Sequence, residues 1–262
     1  MSSVSPGWFD SHCHLQLCDD PPNHVVARAA DAGVSGIMTA AIDLASSREV
    51  LEIATSVDVS NINVVVAVGI HPNSANEHSD DAMTTIEEWS ARPEVVAIGE
   101  SGLDFFRDHV APDVQERSFR DHIGLATRSG KALVIHTRAS IEAALDILEE
   151  VGPPPRLIFH CWSGDDAALE RAVALGAHIS FAGNVTFKNA PELRAAAERV
   201  PDDRLLVETD SPYLAPEPHR GRPNEPGFVG RTGEVVAGVR GMDAGAARDM
   251  TSANALAVFG LS

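Results

Sequence analysis

Cysteine is scarce in this chain of 262 residues: Cys13, Cys18 and Cys161 are the only three, and no two form a CxxC pair. An odd number without paired spacing argues against a disulfide framework, so a reducing cytoplasm is the expected location. Long apolar runs are missing too. None approaches the roughly 20 residues that span a bilayer, so no membrane role is expected. The opening segment Met1–Pro6 has no basic stretch leading into an apolar one, so no secretory leader is expected. Positive charge is sparse: 20 Lys and Arg stand against 38 Asp and Glu, a net charge of -18. That balance excludes a broad electrostatic footprint on DNA or RNA. It leaves room for a nuclease, because bound metal ions and a few local arginines suffice to hold a phosphate. No glycine-rich phosphate fingerprint follows the first apolar run, which weakens a doubly wound dinucleotide-binding sheet. No linker, low-complexity segment or obligate protein partner is evident.

What is present is alternation. Eight short apolar runs read as buried strands: Trp8–His12, Ser35–Ala41, Val64–Ile70, Val95–Glu100, Ala132–His136, Leu157–His160, His178–Phe181 and Leu205–Glu208. Helical periodicity fills the spaces between them, at Pro22–Ala32, Leu44–Val57, Asp80–Ser90, Asp113–Ser129, Ile141–Val151, Asp165–Leu175, Pro191–Val200 and Gly233–Val258. Near-continuous Val, Ile and Leu in strands that alternate with helices imply a parallel sheet. Eight such units in a chain of this length predict one α/β domain over residues 1–262, a (β/α)8 TIM barrel. The long irregular stretch Ser211–Gly230 follows the eighth strand and is expected to cap the catalytic mouth.

Chemistry-bearing residues gather at the C-terminal ends of the predicted strands, where barrel enzymes keep their active sites. His12 and His14 lie two apart, so they leave one strand on the same face. His71 ends the third strand, Glu100 the fourth, His136 the fifth and His160 the sixth; Glu208 and Asp210 end the eighth. Four histidines and two carboxylates suit Zn²⁺, Mn²⁺, Co²⁺ or Fe²⁺. Six ligands exceed the three that a single catalytic zinc uses, and they suit two ions about 3.5–4 Å apart. His12, His14 and Asp210 are assigned to one ion and His136 and His160 to the other, with Glu100 bridging. Asp210 is the expected proton acceptor for an attacking water. Glu208 is expected to orient a ligand histidine. His71, Arg107 and Arg138 are expected near substrate, and Asp104 is expected to pair with an arginine. Arg220, Arg222 and Arg231 are expected to form a small positive lip. Strand alternation turns Cys13 and Cys161 away from the site as structural residues.

The runs Phe-Asp-Ser-His-Cys-His-Leu, Val-Gly-Ile-His-Pro, Ala-Ile-Gly-Glu-Ser-Gly-Leu-Asp, Val-Ile-His-Thr-Arg, Phe-His-Cys-Trp-Ser-Gly and Val-Glu-Thr-Asp-Ser-Pro-Tyr-Leu resemble the TatD family of metal-dependent deoxyribonucleases. The likeness runs in order from Phe9 to the Asn254–Phe259 segment. It implies an amidohydrolase-type metallo-barrel, two divalent ions, and phosphodiester hydrolysis with DNA as substrate. Two positions depart from the family pattern. Gln16 stands where the first motif carries an acid, and Asn73 where the third-strand motif carries a histidine. Neither is among the six assigned ligands. A hydrolase of a small amide, lactone or phosphoester on the same barrel is the alternative, since barrel type does not fix substrate. A non-catalytic binding protein is a third reading, against which the complete ligand set argues.

Overall fold

The computed structural model describes residues 7–261. The leader reading rested on Met1–Pro6, which lie outside the described residues. One eight-stranded parallel sheet runs in sequence order. Its strands are β1 (Trp8–Cys13), β2 (Val34–Ala40), β3 (Asn63–Val68), β4 (Val95–Asp104), β5 (Ala132–Arg138), β6 (Leu157–Phe159), β7 (His178–Phe181) and β8 (Leu205–Val207). Their helices are α1 (Pro22–Asp31), α2 (Leu44–Ser56), α3 (Asp80–Ser90), α4 (Pro112–Ser129), α5 (Ile141–Val151), α6 (Asp166–Ala174), α7 (Pro191–Arg199), α8 (Val229–Val239) and α9 (Ala244–Phe259). The sheet nearly closes into a barrel. The Asp210 N–H donates to the His12 carbonyl at 2.9 Å, and Ser11 Oγ donates to the Val207 carbonyl at 3.0 Å, so the end of β8 is fastened to β1. This is the (β/α)8 TIM barrel expected from the alternation.

The strands bury both faces, and each face meets a different partner. Ile37, Val66, Val68, Leu133, Ile135 and Ile179 point outward and pack under the helices. Met38, Ala40, Val65, Ala67, Val96, Val134, Ile158 and Leu206 point inward and fill the barrel. Phe9, near the start of β1, belongs to this inner set, together with Ala255, Val258 and Phe259 of α9. The Phe9 and Phe259 rings lie 5.8 Å apart. Helix α9 is therefore an apolar plug across the N-terminal end of the barrel. It is tied down where Asn254 Nδ2 donates to the Asp202 and Leu205 carbonyls at 2.7 and 2.9 Å.

One expected helix divides. The periodic segment Gly233–Val258 is two helices, α8 and α9, separated at Arg240–Asp243. Gly241 there adopts φ 63°, which a glycine accepts without a Cβ penalty. Asp243 then starts α9, its carboxylate accepting from the Gly245 and Ala246 N–H groups at 2.8 and 3.2 Å. The break lets α8 complete the outer ring while α9 turns beneath the barrel.

Candidate metal centre and active site

At the opposite end the barrel is filled by polar groups. His12 lies in β1, and His14 follows it at φ -127°, ψ 79°. Their Nε2 atoms face each other at 3.3 Å. His14 Nδ1 is 2.8 Å from the Ala40 carbonyl, which fixes Nδ1 as the protonated nitrogen and leaves Nε2 as a lone pair aimed inward. Gln16 Nε2 donates to the same carbonyl at 2.8 Å, and Thr39 Oγ1 donates to Gln16 Oε1 at 3.2 Å. The residue that departs from the family pattern therefore buttresses the oxygen that orients His14.

Glu100 occupies the centre of the cluster and is only 2 % exposed. Oε2 lies 3.3 Å from His12 Nε2 and 3.6 Å from His14 Nε2. Oε1 lies 2.8 Å from His136 Nδ1, 2.9 Å from His160 Nε2 and 3.5 Å from His71 Nε2. Glycines on either side allow this. A Cβ at Gly99, whose φ is 133°, would sit 2.6 Å from the Val134 carbonyl oxygen, and one at Gly102 would overlap the His136 carbonyl. Close approach of β4 to β5 is what aims the carboxylate inward. Asp210, at φ 56°, brings Oδ1 to 3.6 Å from His14 Nε2 and 3.9 Å from His12 Nε2.

The donor set fits divalent cations. Among the described residues, three groups have ligand atoms close enough to share an ion: His12, His14 and Glu100; His12, His160 and Asp210; His71, Glu100 and His136. Glu100 Oε2 and His136 Nε2 are buried without a hydrogen-bond partner, a costly arrangement for the protein alone. The electrostatics agree. Burial by itself would depress His160, yet Glu100 and Glu208 beside it hold its imidazole well above its ordinary pKa. Burial likewise opposes ionisation of Glu100, yet the His160 imidazole beside it holds its carboxyl well below the usual range. The carboxylates draw positive charge into the space between the rings. His71 and His12 are pushed the other way by burial, His71 to about 3, so both stay neutral and free to ligate.

Supporting groups stand behind these. Glu208, fully buried, places Oε1 3.3 Å from His160 Nδ1 and accepts the Cys161 N–H at 2.9 Å. Asp104 Oδ2 lies 3.6 Å from His136 Nε2 and accepts from Asn73 Nδ2 at 3.1 Å. Burial disfavours its charge, but the nearby His136 ring and the hydrogen bonds from Asn73 and the Arg107 N–H leave the Asp104 pKa low. Asp104 thus pairs with a histidine and an amide instead of the expected arginine, because its Oδ1 is taken by the Phe106 and Arg107 backbone N–H groups.

The cluster floors a cavity of about 630 Å³. Arg107 and Arg138 line it, together with Tyr213 and Leu214 from the long segment after β8. The expected arginine lip is absent from the cavity lining: Arg220 lies over the Phe187 ring and Arg231 pairs with Glu234. Cys13 is buried in the apolar core, as expected, but Cys161 lines the cavity. Cys161 lies beyond the end of β6 at φ 45°, where strand alternation no longer sets side-chain direction.

Sequence reasoning passed over Asp10, which accepts from Thr209 Oγ1 at 2.6 Å and from the Thr209 N–H at 2.8 Å. Burial raises its pKa well above the carboxylate norm in spite of those bonds. Its position two before His12, on the same strand face, was the available signal. Tyr213 and Asn184 also reach the cavity from segments with no strand periodicity to announce them.

A parallel barrel whose C-terminal mouth gathers five histidines and buried carboxylates carries the donor set of a metal-dependent hydrolase. The chain belongs to the TatD family: the family model described as TatD related DNase matches residues 9–260. It is 40% identical over 261 residues to a Mycobacterium tuberculosis protein named uncharacterized metal-dependent hydrolase TatD, covering 96% of this chain and 97% of that one. It is 35% identical over 245 residues to the 3'-5' ssDNA/RNA exonuclease TatD of Erwinia billingiae, covering 91% and 93%. Among solved structures, the TatD homologue YJJV of Escherichia coli superposes with a TM-score of 0.89 at 28% identity, covering 97% of this chain and 98% of that one. Among the described residues no helix is long and apolar enough to cross a membrane.

Proposed function

We propose that the protein is a two-metal phosphodiesterase that acts on nucleic acid as an exonuclease-like deoxyribonuclease. The observation that carries this reading is the division of Glu100, one oxygen facing His12 and His14 and the other facing His136 and His160. Such a carboxylate suits the bridge between two ions. His12, His14 and Asp210 would hold one, and His136 and His160 the other. When bound, the ions supply Lewis acidity, which makes water nucleophilic near neutral pH and offsets charge on phosphate oxygens.

The remaining roles belong to the chain itself. Asp210 Oδ1 accepts the proton of the attacking water, the position its reach toward both β1 histidines supports. Glu208 holds the His160 ring through Nδ1, and Asp104 steadies His136. Arg107 and Arg138 offer planar forks to the phosphate oxygens at the cavity wall.

The second reading, hydrolysis of a small ester or amide, draws on the net charge of -18 and a cavity of small-molecule size. Metal analysis with an activity screen separates the two. Protein reconstituted with metal is expected to carry about two ions per chain. It is expected to release nucleotides from DNA and to stop with chelator. The Asp210→Asn variant should lose most turnover while keeping the fold. Near-wild-type turnover would remove the role of Asp210, and small esters as the only substrates would favour the second reading.

A further inference from the structure

Two large rings face solvent at the mouth without packing into the core. Tyr213, the one tyrosine of the chain, is 55% exposed and lines the cavity, its ring 6.3 Å from that of His14. Phe106 is 67% exposed and follows β4. In a barrel ordered β1 to β8, the β8–β1 side lies across the mouth from the β4–β5 side. The two rings therefore flank the metal centre from opposite sides.

The Phe106 side is firmly built. Asp104 Oδ1 accepts the N–H groups of Phe106 and Arg107 at 3.0 and 3.1 Å. The Phe105 N–H donates to the Arg138 carbonyl at 2.9 Å, and the Arg138 N–H to Ser140 Oγ at 3.1 Å. The Arg138 guanidinium lies 3.9 Å over the Phe106 ring. Among the described residues, Arg107 and Arg138 have no carboxylate partner, whereas Arg171 alone engages Glu142, Asp146 and Glu149. In so acidic a chain, two unpaired arginines beside an exposed aromatic make a surface for a stacked base and its phosphates.

Resting on the nucleic-acid reading above, we propose that Tyr213 and the Phe106–Arg138 pair are two base-stacking platforms that select a single strand. Tyr213, inside the cavity, stacks the terminal base next to the reacting phosphate. Phe106, outside the cavity lining, stacks a base of the strand leading away, with Arg107 and Arg138 on the phosphates between. Interior bases of a duplex are already stacked on both faces and cannot use the Phe106 ring, so a duplex would have to unpair at its end to engage both platforms.

The test is binding and kinetics with oligothymidylate. Affinity is read without turnover, by anisotropy of a dye-labelled, cleavage-resistant phosphorothioate octamer. Phe106→Ala is expected to raise Kd and KM for the octamer roughly tenfold, with kcat little changed and dinucleotide cleavage untouched. Phe106→Trp should restore affinity. Tyr213→Ala should weaken octamer and dinucleotide alike. An abasic residue at the position served by Phe106 should cost wild type the same factor and Phe106→Ala nothing further. Wild-type octamer affinity in both alanine variants would overturn the proposal, as would a wild-type protein that sediments as a dimer and becomes a monomer in Phe106→Ala, which would make the patch a contact between copies. Cleavage of the octamer with unchanged affinities leaves the nuclease reading standing and removes only the platforms. An octamer neither bound nor cut by the metal-loaded wild type removes both.

Discussion

The two ends of the barrel are built from the same strands and do opposite work. At the N-terminal end, Phe9, Val258, Phe259 and Ala255 close the interior with apolar contacts that need no partner. At the C-terminal end, His12, His14, Glu100, His160 and Glu208 are almost wholly buried, and several of their polar atoms lack a bond. Backbone strain is gathered there too. Ala139, Cys161, Asp210 and Leu214 hold left-handed φ values of 45–56°, each costing on the order of 1–3 kcal/mol. The contrast shows stability and function kept apart within one sheet: the plug stabilises the chain, and the mouth spends part of that margin on charge and strain.

The sharpest way to break the comparison is at Glu100. Glu100→Gln removes the charge that faces both histidine groups while preserving shape. Hydrolysis should fall by about 10³-fold or more, and metal content measured by elemental analysis should drop, while the circular dichroism spectrum stays native. Full metal loading in this variant would show that the bridge lies elsewhere.

The plug gives the next largest effect, in the other direction. Phe259→Ala leaves a void against Phe9 and should cost about 3–5 kcal/mol in denaturant unfolding. The folded fraction should keep its metal content and its kcat. Activity lost out of proportion to folding would mean that the two ends are coupled.

A smaller effect probes the support behind the mouth. His122 is fully buried on α4, accepting the Ile70 N–H at Nε2 (3.1 Å) and donating from Nδ1 to the Ser118 carbonyl (2.7 Å). Burial pushes its pKa down to about 4, so the folded state prefers the neutral ring. Its contribution is complete above the unfolded value of about 6.5. It is lost as pH falls from there toward 4, because the unfolded chain takes up the proton first. That limb should amount to about 3 kcal/mol, with His178 adding in the same direction. His122→Gln should flatten the acid limb of the unfolding curve, and an unchanged limb would place the titration elsewhere.

Much of this was legible before the structure. Every expected strand overlaps an observed one, since buried parallel strands announce themselves as Val/Ile/Leu runs. His12 and His14 were readable as a facing pair because β1 carries them with a period of two. Legibility failed where the chain leaves its strands. Cys161 lies past the end of β6 with a left-handed backbone, so it faces the cavity it was expected to avoid. Asp104 was expected to meet an arginine and instead serves His136, Asn73 and its own loop. The break between α8 and α9 hid inside continuous helical periodicity, since a single glycine at Gly241 was enough to redirect the chain.

The sequence by itself determined the class of fold, the family and the residue types gathered at the strand ends, because these follow from periodicity and from local motifs. Only the tertiary structure decided how those side chains divide around Glu100, which arginines face the cavity, and that Tyr213 and Phe106 stand across the mouth from each other. Barrel closure joins residues some two hundred positions apart, and the direction of a side chain beyond a strand end is set by packing and backbone bonds that no local pattern records.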